Sequence, residues 1–115
     1  MDVRRISKKQ EKRIAERLTK NVENAYVQKA SGALYHKKSD VISKAFRIEA
    51  KTKATPSKQI TLKADYFKKL HMEALETGKI PVLVFSFGDG KDFYVLEEHD
   101  FMMMAGRLYG EDKET

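Results

Sequence analysis

One segment dominates what this chain can fold into: Ile80-Pro81-Val82-Leu83-Val84-Phe85-Ser86-Phe87, its most apolar stretch. A short run of β-branched and aromatic residues with little polar interruption is predicted to be a central strand, buried on both faces. Pro81 falls at its start, where a missing N–H is tolerated. Gly88-Asp89-Gly90 then reads as a hairpin turn into a second strand over residues 92–96. Upstream, Tyr66, Phe67, Leu70 and Ala74 recur at helical spacing, with Gly78 placed to close that helix.

The N-terminal half supplies the rest of the pattern. Ser7-Lys8-Lys9-Gln10 reads as a capping box opening a helix over residues 8–20, with Ile14, Ala15, Leu18 and Val22 on its apolar stripe. Residues 25–29 read as a short strand and 30–39 as a loop. Residues 40–42 and 45–52 read as a hairpin turning at Ser43-Lys44, and 99–108 as a closing helix. The order α-β-β-β-α-β-β-α predicts an α/β (α+β) fold: a mixed sheet of about five strands flanked by helices, in one domain over residues 1–115 with a polar tail at 111–115. The predicted core is Phe46, Ile48, Val82, Val84, Phe85, Phe87, Phe93 and Val95, with Leu18 and Leu70 packing the helices onto the sheet. Met102-Met103-Met104, beside Phe101 and Leu108, is assigned to core in preference to a self-association surface.

Composition removes whole classes of function. The 115 residues include no cysteine, which excludes a disulfide scaffold, a thiolate metal site and cysteine catalysis. No apolar run approaches the ~20 residues of a membrane span, and the first residues lack the apolar core of a secretion signal, so a soluble intracellular protein is expected. His36, His71 and His99 share no ligand spacing, which argues against zinc. Charge is the informative quantity. Residues 1–63 carry 17 basic and 6 acidic side chains, and residues 64–115 carry 6 and 11. A positive half against a mildly negative half points to a polyanionic partner.

Within the predicted hairpin, Asp40 precedes Glu49-Ala50-Lys51. An acid-x-base triplet means little in a chain this charged, but the Glu49 copy lies on a strand. There Arg47, Glu49 and Lys51 project to one face and Phe46, Ile48 and Ala50 to the other. Asp40, on the preceding strand, can be brought beside Glu49. Two carboxylates with an ammonium neighbour form a hard-oxygen site suited to Mg2+ and to the oxygens of a phosphodiester. There Lys51 is placed to orient a water or neutralise developing negative charge. The other reading of the same residues is an exposed strand face with an ion pair. On the first helix, Glu11 falls on the apolar stripe, whereas Glu16 lies about 140° away among solvated positions. Glu11 is therefore the better third acid, although a glutamate there also complements a helix dipole.

In order and spacing, Gln10-Glu11-Lys12-Arg13, Ser31-Gly32, Asp40, Glu49-Ala50-Lys51 and Gly78-Lys79-Ile80-Pro81-Val82-Leu83-Val84 resemble the archaeal-type Holliday junction resolvases. These are members of the PD-(D/E)xK nuclease superfamily, with similar small proteins in bacteriophages. The resemblance spans residues 7–97. It implies a restriction-endonuclease-like core and a homodimer that cleaves branched double-stranded DNA in a prokaryotic or phage-infected cytoplasm. It further implies metal ligation by Asp40, Glu49 and the Ala50 carbonyl, with Mn2+ able to replace Mg2+, and Glu11 as the helix-one acid. Lys51 would assist the attacking water, and Ser31 would approach the scissile strand. The chain departs from the superfamily signature at Ser39, where a proline often precedes the aspartate.

Gly32, His36, Lys37, Lys38, Lys53, Lys58 and Lys63 flank this set and are the expected DNA contacts, with Arg4 and Arg5 as a further basic arm. Phosphate contacts of this kind give position and salt-sensitive affinity without base specificity. Two other functions remain compatible with the residues: a nuclease of the same chemistry acting on flaps, nicks or linear duplex, and a non-catalytic basic module that binds nucleic acid.

Overall fold

The computed structural model describes residues 3–29 and 39–110. The elements are α1 (Val3–Asn21), β1 (Ala25–Val27), β2 (Val41–Ser43), β3 (Phe46–Thr52), α2 (Ala64–Thr77), β4 (Ile80–Ser86), β5 (Asp92–Leu96) and α3 (Glu98–Arg107). This is the expected order, and it builds an α+β fold on one five-stranded mixed sheet. Strands run β1-β2-β3-β4-β5 across the sheet. All neighbours are antiparallel except β3 and β4, which pair in parallel from Phe46–Ile80 to Thr52–Ser86. A parallel pair cannot be joined by a tight turn, so α2 makes the crossover. Among the described residues, no helix is long and apolar enough to cross a membrane.

Alternation along the strands sorts the core into two layers. Val41, Ile48, Val82 and Val84 face α1 and pack on Ile14, Ala15 and Leu18. The intervening positions, including Leu83, face the other way, towards α2, whose buried residues are Leu70, Glu73 and Ala74. Gly78 closes α2 in the left-handed conformation (φ 66°), with its cap N–H groups returned to Ala74 and Leu75, as expected of a C-terminal glycine. A second glycine is fixed by contact. A Cβ on Gly88 would stand 2.4 Å from the Thr55 carbonyl oxygen, so the β4–β5 turn packs tightly on the segment leaving β3.

Several expectations are corrected. α1 runs from Val3, so Ser7 lies inside the helix and is not its cap; the Arg and Lys residues around it are good helix formers and extend the helix backwards. The helix ends at Asn21, which leaves Val22 beyond it and exposed. Ile48, Val82, Val84, Leu18 and Leu70 are buried as expected, but Phe46, Phe85, Phe87 and Val95 are only half-buried and Phe93 is 38% exposed. β5 is an edge strand, paired with β4 alone. Phe85, Phe87 and Phe93 shield one another, with ring centroids 5.3–5.8 Å apart. The methionine run is not core either: among the described residues α3 has none buried, and Phe101, Met102 and Leu108 are exposed.

Candidate functional site

The hairpin pairs Val41 with Ile48 and Ile42 with Arg47, and the side chain of Asp40, the residue before β2, reaches Glu49 and Ala50 of β3. Asp40 stands just before β2 and prolongs its ladder. Its N–H donates to the Ile48 carbonyl at 2.7 Å, and its carbonyl accepts the Gln28 N–H at 2.8 Å. Its side chain then takes over where strand pairing stops: Oδ2 accepts the Ala50 N–H at 2.7 Å. The Asp40 carboxylate is thereby fixed against the backbone of the Glu49-Ala50-Lys51 triplet.

Glu49 is half-buried beside it and shares a hydrogen bond with Asp40. Burial, reinforced by the Asp40 charge, pushes the Glu49 carboxyl from near 4.5 up to about 7; Lys51 and, more weakly, Lys69 pull in the opposite direction. Lys51 Nζ lies 3.5 Å from Glu49 Oε2 and 4.0 Å from the centre of the Tyr66 ring on α2. Its carbonyl accepts a bond from Gln10 Nε2 at 2.9 Å. Gln10 and Arg13 in turn hold Asp92 of β5. Arg13 makes two 2.7 Å bonds to an Asp92 side chain that is only 2% exposed. The far side of the site is thus tied to α1 and β5.

Asp40, Glu49, Ala50 and Lys51 are therefore brought together. Glu11 is buried on α1, as its place on the stripe predicted, but in a cleft of about 670 Å3 lined also by Lys8, Lys12, Gln28 and Lys29. Among the described residues no three His, Cys, Asp or Glu side chains stand close enough to hold a metal ion together. Ser31, Gly32, His36, Lys37 and Lys38 lie outside the described residues. Lys53, Lys58 and Lys63 are exposed on the segment from β3 to the start of α2.

Sequence reasoning missed three kinds of residue. Gln10 is almost wholly buried, and its signal was its place on the stripe of Ile14 and Leu18. Lys8, Lys9 and Lys12 extend the expected basic arm of Arg4 and Arg5 into a patch on α1, readable from their helical spacing. Glu73, on the apolar side of α2 next to Ala74, is buried and tied to Ser39, a partnership that no local pattern discloses.

Compared with known proteins, the chain matches no family model, no curated protein and no solved structure.

Proposed function

We propose that this chain is a Mg2+-dependent DNA endonuclease that resolves four-way junctions. The observation that carries the reading is the pairing of Asp40 with Glu49 beside the Lys51 ammonium. Two carboxylates facing each other in a half-buried place, one driven to about 7, repel each other once both are ionised. A divalent cation removes that repulsion, so the donor set suits a hard ion.

Asp40 and Glu49, with the Ala50 carbonyl, would hold it; bound there, Mg2+ would polarise a phosphodiester and acidify a water. The chain's own residues do the rest. The Ala50 N–H keeps Asp40 from turning away. Glu49 must lose its proton to act as a ligand, so cation and proton compete for it and cation affinity falls as pH drops below about 7. Lys51, steadied by Tyr66, places a positive charge where the attacked phosphate gains negative charge. Glu11 is kept as the helix-one acid that the resolvase resemblance implies. The basic surface of α1 and the exposed Lys53, Lys58 and Lys63 supply phosphate contacts. Two copies about a twofold axis would present two such sites to the symmetric strands of a junction.

The test is cleavage of an immobile four-way junction compared with its component duplex arms, with and without Mg2+. Mg2+-dependent cutting of the junction in preference to the arms is expected. Equal cutting of both would move the substrate to another DNA structure. Tight binding with no cutting of any DNA would reduce the chain to a non-catalytic nucleic-acid-binding module.

A further inference from the structure

The residue immediately before Asp40 is the one non-glycine among the described residues with a positive φ: Ser39, at 65°. L-residues other than glycine, asparagine and aspartate avoid this region, and a residue held there is overruled by its surroundings. Those surroundings are polar and buried. Ser39, 1% exposed, donates its hydroxyl to Glu73 Oε1 of α2 at 2.6 Å and accepts from Arg47 Nε of β3 at 3.1 Å. Glu73 and Arg47 are themselves more than nine-tenths buried.

This is an expensive way to hold a fold. A buried acid and base can often be exchanged for apolar residues of similar volume with no loss of stability. What the polar arrangement adds is a single permitted geometry, and its position says for what. Ser39 adjoins Asp40, Arg47 stands two residues before Glu49 on the same face of β3, and the Ser39 hydroxyl links Arg47 to Glu73 of α2. We infer that Glu73, acting through Ser39 and Arg47, is a positioning residue that sets the Asp40 carboxylate against Ala50 and Glu49. The inference rests on the reading of that pair as a cation site, but its first observable does not.

Two variants test it. Ser39→Gly keeps the left-handed backbone accessible and removes the hydroxyl. The double variant Arg47→Met with Glu73→Leu replaces the buried acid and base by apolar bulk and should stay as stable as the parent or gain stability. For each, the melting temperature, the hydrogen exchange of the Ala50 amide relative to β4 amides, and the affinity for Mn2+ alone are measured. Faster Ala50 exchange and weaker Mn2+ binding, each by about tenfold, are expected in variants whose β4 amides are unchanged, as loss of one oriented bond would give. A folded variant with Ala50 exchange within about twofold of the parent overturns the inference. Should Ser39→Gly lose the fold, the double variant decides the question alone. If the parent binds no Mn2+, the nuclease reading fails, and Ala50 exchange still decides whether Glu73 positions Asp40.

Discussion

The Asp40 carboxylate stands in for a strand. Where β2 stops pairing with β3, its Oδ2 accepts the Ala50 N–H at 2.7 Å and so carries the ladder one step further. A side chain that completes a sheet in this way cannot rotate freely, and it is held beside Glu49.

Removing the Glu49 charge separates chemistry from binding. Glu49→Gln is predicted to lower Mg2+-dependent cleavage by at least about 100-fold while leaving junction affinity unchanged or higher, because a negative charge next to phosphate is lost. Single-turnover cleavage and gel-shift binding measure the two effects. Glu11→Gln, in the cleft along α1, is predicted to cost less in cleavage than Glu49→Gln.

The metal-free protein is predicted to lose stability as pH rises. Glu49 holds its proton to about 7 in the folded chain but only to near 4.5 when unfolded. Between those values the folded state binds more protons, so unfolding free energy falls with pH. The contribution is complete below 4.5 and gone above about 7. Denaturant titrations in chelator at pH 4.5 and pH 8 should show the parent losing about 2 kcal/mol relative to Glu49→Gln. Added Mg2+ should restore stability at pH 8 and do little at pH 4.5.

How much of this could be read from the sequence depends on the range of the physics. β4 announced itself because a strand buried on both faces needs no partner to be recognised, and Gly78 because only a left-handed cap requires it there. The Asp40–Glu49 pairing followed from strand alternation and a short turn. Phe93 and Val95 were misplaced because a hydrophobic strand reads alike at the centre and at the edge of a sheet. The Ser39–Glu73 bond joins residues 34 apart through α2, and a serine and a glutamate at that distance carry no local signature.

Tyr66 steadies the Lys51 ammonium through its ring face and not its hydroxyl. Tyr66→Phe is therefore predicted to cleave at near the parental rate, whereas Tyr66→Leu should slow cleavage by about three- to tenfold, as loss of a partly exposed cation–π contact implies. Equal rates for the two variants would show that the ring does not contribute.

Core energetics should follow the observed burial and not apolar character alone. Ile48→Ala, at a site 1% exposed between β3 and α1, is predicted to cost about 2–5 kcal/mol. Phe93→Ala, at the sheet edge, should cost less despite the larger side chain, since much of its ring already faces solvent. Urea unfolding of the two variants checks the order.

The shared cation is the claim on which the enzymatic reading depends, and calorimetric titration of Mn2+ into the metal-free protein tests it most directly. Saturable binding by the parent at pH 8, abolished in both Asp40→Asn and Glu49→Gln while both remain folded, is predicted. Parental affinity retained in either variant would contradict it.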